Sequence, residues 1–227
     1  MKKLTKILVA TAIAGAAFSA QATTKTTTAT ASVSNAKSST GKTLDLTKFN
    51  VALGTLTSVK VELSSNYGSL MKVENTSKSS AANIVFKSTG ALTLVSGGKT
   101  LAVLAPVLTT TLHEAIYDKS TDFGGTSGTS LTMAPVSFSN SAIYTDAATL
   151  ALFSGTGNLS TTLFGSSTAS FTSDAGNVAS FASASFDGMA KVTYTYALAP
   201  VPEADTYAMM VAGLALLGVV ARKRKSA

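Results

Sequence analysis

Short runs in which apolar and polar residues alternate are the feature that most constrains the fold of this chain. In residues 58–64 the alternation places Val59, Val61 and Leu63 on one face of an extended segment. These runs are rich in β-branched and aromatic residues and are bounded by Gly, Asn and Ser, which is typical of strands joined by turns. The pattern predicts an all-β fold, a single antiparallel β-sandwich of jelly-roll or Ig-like type, over residues 44–199.

Turn-forming residues indicate where these strands end. Gly97-Gly98 lies between the apolar runs 92–94 and 101–104, which predicts a hairpin. Asn66-Tyr67-Gly68 predicts a second turn, and the alternating run 192–196 predicts the last strand of the body.

Three segments fit the strand pattern less well. Residues 23–43 are rich in Thr and Ser and predict either a flexible leader or a polar first strand. Residues 146–153 have the composition of a short helix, with Asp146 or Thr145 as its N-cap. Residues 119–130, with three glycines and few apolar side chains, predict a mobile loop.

The N-terminus has the three parts of a secretory signal peptide. Lysines near the start are followed by an apolar stretch over residues 7–18 and by small residues, Ala20 and Ala22, in an A-x-A pattern. We therefore expect signal peptidase to remove residues 1–22 and to leave Thr23 as the mature N-terminus.

The C-terminal segment, residues 200–227, is bounded by prolines at one end and cations at the other. Pro202 favours a helix start after it. The uncharged run 206–221 predicts a transmembrane helix, and the four cations Arg222, Lys223, Arg224 and Lys225 are typical of a cytoplasmic membrane boundary. We expect the residues between the two targeting segments to cross the membrane.

The formal charge of +7 comes mainly from these two targeting segments. Residues 23–200 hold 11 Lys against 9 Asp and Glu, a net charge of +2, with no Arg. The body therefore lacks the basic face that a nucleic-acid partner requires. The chain also contains no Cys, which excludes disulfides, thiol catalysis and Cys-based metal sites.

The tail resembles the PEP-CTERM sorting signal of Gram-negative bacteria that carry exosortase. The matching parts are Val201-Pro202-Glu203, the apolar helix from Tyr207 to Val220, and the basic cluster Arg222 to Lys225. Ala204 stands where the family has its second proline. The resemblance implies that an exosortase-type enzyme recognises this segment.

The body resembles a second family, the choice-of-anchor E domain. The resemblance is carried by Phe49 to Val59, Leu152 to Gly157, Ala175 to Val178 and Val192 to Tyr196, in that order along the chain. It implies an exported, surface-associated domain and supplies no catalytic residues.

Few side chains suggest chemistry. The only histidine, His113, stands beside Glu114 and could form part of a Ser-His-acid hydrolase site, but the chain has no G-x-S-x-G elbow. Glu114, Asp118 and Asp122 recur at intervals of four and could line a calcium loop, although no EF-hand pattern is present. The sequence therefore predicts no catalytic, cofactor-binding or metal-binding residue.

Two further patterns have simple structural explanations. Gly155-Thr156-Gly157 lacks the lysine and the third glycine of a phosphate-binding loop, and predicts a turn. Tyr194 and Tyr196 share one face of a predicted strand and could form a sugar-stacking platform, but core packing explains them better.

Together these features predict a non-enzymatic structural protein, exported across the inner membrane of a Gram-negative bacterium. It would be anchored transiently and then sorted by exosortase to the cell surface or extracellular matrix, in association with exopolysaccharide and biofilm. The alternative is a carbohydrate- or surface-binding adhesin that its C-terminal helix retains in the membrane. The expected partners are signal peptidase, exosortase, the membrane and exopolysaccharide, with no nucleic acid and no cofactor.

Overall fold

The computed structural model describes residues 23–37, 41–198 and 204–225. The chain divides into two units, one of which is the body, Thr24–Leu198; the C-terminal helix belongs to the other. The predicted signal peptide, residues 1–22, lies outside the described residues, and so does the Val201-Pro202-Glu203 part of the sorting signal.

The body consists of two antiparallel sheets, which confirms the prediction of an all-β fold. Its described residues form nine strands, which are β1 (Thr24–Lys37), β2 (Lys42–Thr47), β3 (Thr55–Asn75), β4 (Ala82–Ser96), β5 (Lys99–Leu104), β6 (Val107–Glu114), β7 (Gly128–Tyr144), β8 (Asn158–Ser173) and β9 (Val178–Ala197). A 3-10 turn, Val51–Leu53, and a short helix, α1 (Ala147–Phe153), lie between strands.

The strand order favours the jelly roll over the Ig-like sandwich. Sheet A has the order β1–β9–β3–β7, and sheet B has the order β2–β8–β4–β5, with β6 also paired to β4. Each of the pairs β1/β2, β3/β4 and β8/β9 has one strand in each sheet. In an Ig fold the first two strands share a sheet. Because β5 and β6 pair with successive parts of β4, they act as one strand and give the eight of a jelly roll.

The core lies between the two sheets and follows the alternation in the sequence. Val59, Val61 and Leu63 on β3 are fully buried, as predicted. On β4 the even-numbered residues from Ala82 to Ser96 are all buried, whereas Asn83, Val85 and Lys87 are exposed. Burial of such inward faces is the main source of stability in a domain that has no disulfides, although the described apolar residues of β1 and β7 are at most partly buried.

The strands are longer than the sequence indicated. The predicted turn at Asn66-Tyr67-Gly68 is wrong, because β3 continues through it and Tyr67 points into the core with no exposed surface. Of the two possibilities for residues 23–43, the structure has the strand, since β1 pairs with β9 along its length.

The two smaller predicted elements are present. Gly97 and Gly98 form the hairpin turn between β4 and β5, with φ angles of 55° and 78° that suit glycine. The carboxylate of Asp146 caps α1 by accepting a hydrogen bond from the Thr149 backbone N–H at 2.9 Å.

The C-terminal unit contains a helix, α2 (Ala204–Lys225), which confirms the predicted helix but not its membrane crossing. The part of the chain that is described includes no helix with the length and mean hydropathy that a bilayer span requires. The uncharged run 206–221 has 16 residues and rises about 24 Å, less than a hydrocarbon core of ~30 Å. The prediction of a transmembrane helix over residues 206–221 is corrected accordingly.

Candidate functional site

The tail helix has an ordered distribution of charge along its axis. Asp205 occupies the first turn of α2, and Arg222 to Lys225 occupy the last turn. An acid at the N-terminus and cations at the C-terminus both complement the helix dipole. Between these ends, residues 206–221 carry no charge, and their apolar residues are spread around the helix rather than confined to one face. The element is therefore a charge-bounded apolar helix attached to a folded body.

The two tyrosines considered as a sugar platform lie in the core. Tyr194 and Tyr196 are buried, and their rings pack against Phe49 with centroid separations of 5.9 and 5.0 Å. The Tyr194 hydroxyl donates to the Thr47 carbonyl at 2.6 Å, and burial raises the pKa of Tyr194 to about 12. Neither ring can stack on a ligand at the surface.

His113 and Glu114 point to opposite faces of β6. His113 is exposed, whereas Glu114 is 5% exposed, as expected for successive residues of a strand. The neighbour of His113 across the ladder is Asn83, whose backbone N–H and amide both donate to the Asp174 carboxylate, at 2.7 and 2.6 Å. These bonds, the backbone one first, lower the pKa of Asp174. His113 and Glu114 therefore do not form a dyad.

The carboxylates of Asp118 and Asp122, considered as calcium ligands, instead accept hydrogen bonds from residues of their own loop. Asp118 accepts hydrogen bonds from the backbone N–H groups of Ser120 and Thr126, and the Ser120 bond is the main reason its pKa is lowered. Asp122 accepts from the Ser120 hydroxyl and from the Gly124 N–H. Among the described residues, no group of three His, Cys, Asp or Glu side chains could hold a metal ion.

Two buried polar residues that the sequence analysis assigned to no site hold this loop against the sheet. The carboxylate of Glu74 has no exposed surface and accepts from the Phe123 backbone N–H at 2.7 Å and from the Ser127 hydroxyl. The Asn75 amide donates to the carbonyls of Ser80 and Ala115. Neither the alternating run 58–64 nor the turn-forming residues gave a signal for them. Residues 115–127 are thus tied to the sandwich.

Gly155-Thr156-Gly157 forms the turn between α1 and β8, as predicted. Gly155 and Gly157 have φ angles of 126° and 82°, which favour glycine. The Gly155 N–H donates to the Phe49 carbonyl at 3.0 Å, and the Gly157 carbonyl accepts from the Lys48 N–H at 3.0 Å. This turn serves to close one end of the sandwich.

The outer faces of both sheets are rich in hydroxyl groups. On sheet B, Ser166, Thr168, Ser170 and Thr172 of β8 are exposed at alternate positions, and Lys87 of β4 lies opposite Ser170. On sheet A, Thr26 and Thr28 of β1 lie opposite Thr195 and Thr193 of β9. The exposed hydroxyl residues of β1 are Thr26, Thr28, Thr30, Ser32 and Ser34. We call these two surfaces the hydroxyl faces. Each offers an extended array of hydrogen-bond donors and acceptors.

Comparisons with solved structures give only distant likenesses. The VP2 subviral particle of infectious bursal disease virus is 15% identical, with 78% of this chain and 38% of that chain covered and a TM-score of 0.19. The Gx strain of the same virus is 14% identical, with 88% and 47% covered and a TM-score of 0.16. This chain thus spans less than half the length of either, and at such TM-scores the likeness carries no argument. No curated protein matches the chain.

A comparison with protein families matches the tail. Residues 200–225 match the PEP-CTERM protein-sorting motif. The matched segment takes in the whole of α2 and the Pro-Glu sequence before it. The chain therefore carries a motif that implies recognition by exosortase and marks bacterial proteins for export and sorting to the cell surface.

Proposed function

We propose that this protein is a structural component of the cell envelope or extracellular matrix of a Gram-negative bacterium, associated with exopolysaccharide in the biofilm. The observation that carries the proposal is the sorting motif at residues 200–225, in the same chain as a β-body that forms a compact unit of its own. In this account exosortase processes the tail and the body is the part that remains at the surface. The resemblance of the body to the choice-of-anchor E domain supports the same location.

The hydroxyl faces support an association with polysaccharide. Hydroxyl groups at alternate positions of neighbouring strands are spaced by about 7 Å along a strand and about 5 Å between strands. Hydrated sugar chains present hydroxyls that can pair with such an array, directly or through water. Contacts of this kind are individually weak, which suits a protein that fills a matrix rather than one that captures a specific ligand.

The arrangement around His113 supports a non-enzymatic role. A hydrolase needs a base that is oriented by an acid and lies within hydrogen-bond reach of a nucleophile. Here Glu114 is directed to the opposite face, and Asp174 is engaged by Asn83. We expect His113→Ala to leave every measurable property of the secreted protein unchanged. A hydrolytic activity that disappears in this variant would contradict the proposal.

If the protein were an adhesin, it would have to bind a glycan through residues other than Tyr194 and Tyr196. Because Tyr194 and Tyr196 are buried, a glycan could contact only the hydroxyl faces or the loops at the ends of the sandwich. A glycan array distinguishes the two functions. An adhesin binds particular oligosaccharides, whereas a matrix component gives weak binding to many polysaccharides.

The direct test follows the protein among the matrix, the cells and the medium in two strains, the parent and one that lacks its secreted polysaccharide. We expect the protein to move from the matrix to the medium when the polysaccharide is absent. A variant with Thr168→Val, Ser170→Ala and Thr172→Val should be exported and processed normally but retained less in the matrix. The matched control, Gly176→Ala, lies in a turn and should behave like the parent. An unchanged distribution in the polysaccharide-deficient strain would contradict the proposal.

A further inference from the structure

Strand β1 forms one edge of sheet A. It pairs with β9 in regular antiparallel register from Thr24 opposite Ala197 to Val33 opposite Gly188. Within the described residues no strand pairs with its other side. The N–H and C=O groups on that side are therefore open to a further strand.

The other three sheet edges each have a feature that hinders such pairing. In β7, Pro135 lies at a register shift opposite Gly68, and the Asn140 amide and Tyr144 hydroxyl bond to carbonyls of β5. Strand β2 has only six residues and includes Lys42 and Asp45. The edge formed by β5 and β6 is interrupted at Pro106. Prolines, short strands and charges are the usual means of protecting an edge.

Strand β1 has none of these features over most of its length. From Thr26 to Val33 it contains no proline, no charge and no irregularity of register. Its inward side chains Ala29, Ala31 and Val33 are only partly buried, so apolar surface remains at the edge. A segment that is uncharged and rich in β-branched residues pairs readily with another strand.

We propose that β1 is the interface with a second copy of this chain, through antiparallel pairing of the two β1 strands about Ala29. The two copies would then share a continuous eight-stranded sheet with the order β7–β3–β9–β1–β1–β9–β3–β7. Such an interface is isologous, so it closes as a dimer and does not propagate into a fibre.

The side chains favour this register. Residues that lie opposite each other must both have even numbers or both have odd numbers, so that the hydroxyl side chains of the two copies lie on the same side of the shared sheet. A shift of one residue would turn every side chain of one copy to the other side. With Ala29 opposite itself, Thr28 faces Thr30 of the second copy and Lys25 faces Val33 of the second copy. Thr–Thr pairs are favourable across strands, and no two lysines are opposed. The dimer also joins the hydroxyl face on sheet A of one copy to the same face of the second copy, so that they form one surface.

The predicted maturation of the N-terminus is compatible with this assembly. Signal peptidase is expected to cut after Ala22, and β1 begins at Thr24. Cleavage would leave one residue, Thr23, before the edge strand, and Thr24 would face Ser34 of the second copy without an intervening leader.

Cysteine cross-linking in the full chain, expressed in a host that exports it, tests the pairing and its register. The chain contains no Cys, so each introduced thiol is unique. In Ala29→Cys the two Cα atoms would lie about 4.5–5.5 Å apart, within the range that a disulfide bridges. We expect oxidation to give a covalent dimer, identified by its mass.

Two single-Cys variants serve as controls. In Lys25→Cys the two thiols would be separated by eight residues of strand, roughly 27 Å, and should not link. Ser139→Cys is exposed on β7 and should not link either. Lys25→Cys combined with Val33→Cys should restore the dimer. Far-UV circular dichroism of the purified chains checks that each variant is folded.

Three results would overturn the proposal. In the first, Ala29→Cys remains monomeric although its thiol is reactive. In the second, all three single-Cys variants link equally through random collision. In the third, Ala29→Cys links to a different protein. Each would exclude β1 as a specific interface between copies.

Discussion

The hydroxyls of Tyr67 and Ser88 lie 2.7 Å apart and form a hydrogen bond that joins the two sheets. Tyr67 is on β3 of sheet A and Ser88 is on β4 of sheet B, and neither side chain is more than 1% exposed. Because both groups are out of contact with water, each depends on the other to satisfy its hydrogen bonding. The bond therefore fixes how one sheet lies on the other.

Tyr67→Phe should lower the free energy of unfolding by about 1–3 kcal/mol, because it leaves the Ser88 hydroxyl buried without this partner. Chemical denaturation measures the change. The double variant Tyr67→Phe with Ser88→Ala should lose less free energy of unfolding than the two single variants together. In the double variant no buried hydroxyl is left without its hydrogen-bond partner. Ser65→Ala is the matched control, because its buried hydroxyl has no hydrogen-bond partner among the described residues, and it should be neutral or stabilising. Strictly additive effects of Tyr67→Phe and Ser88→Ala would contradict this role.

Gly165→Ala should destabilise the body by about 1–3 kcal/mol or more, because an added methyl group would overlap the ring of Phe186. Phe186 is on β9 and Gly165 is on β8, so the overlap would push the two sheets apart. Gly176→Ala adds the same methyl group with no atom within 4 Å and should leave the thermal midpoint nearly unchanged. Equal midpoints for the two variants would show that the sheets are not packed as described.

Asp174→Asn should reduce stability near neutral pH and have progressively less effect in acid. The bonds from Asn83 lower the pKa of Asp174 from its ordinary value of 3.8. A carboxyl whose folded pKa is lowered contributes stability above its ordinary pKa and loses it as the pH falls through the folded pKa. The difference in unfolding midpoint between the native chain and Asp174→Asn should therefore persist above pH 3.8 and close below it.

Asp45→Asn is the control for this pH dependence. Asp45 is exposed on β2 and makes no side-chain hydrogen bond or ion pair within the described residues. Its substitution should change the midpoint little at any pH. An Asp174→Asn difference that is constant from pH 7 to pH 2 would contradict the proposed bond to Asn83.

Local patterns in the sequence were sufficient to predict the class of fold. The alternation of Val59, Val61 and Leu63 and the Gly97-Gly98 turn depend on neighbours in the chain, and each is present as predicted. The cap of α1 by Asp146 is likewise a local property.

Long-range contacts explain what the sequence did not predict. Asn66-Tyr67-Gly68 has the composition of a turn, but the bond from Tyr67 to Ser88 and the pairing with β7 and β9 keep it in a strand. Glu74 and Asn75 are polar, yet they are buried because a loop distant in sequence supplies hydrogen-bond partners for both. The strand order of the two sheets also depends on such contacts.

Only part of the tail was predicted correctly, and that part rests on a local pattern. The order of its parts is a local pattern, and the matched motif covers it. The membrane crossing depended on whether a short apolar run is long enough, and there the sequence interpretation was wrong.

Intact-mass measurement of the protein recovered from the cell surface, in otherwise identical strains with and without exosortase, tests the central claim most directly. With exosortase, we expect a surface form that lacks Arg222 to Lys225. Without it, or with Pro202→Ala and Glu203→Ala in the motif, the chain should keep those residues and fail to reach the surface. A surface form that retains Arg222 to Lys225 in both strains would contradict the account.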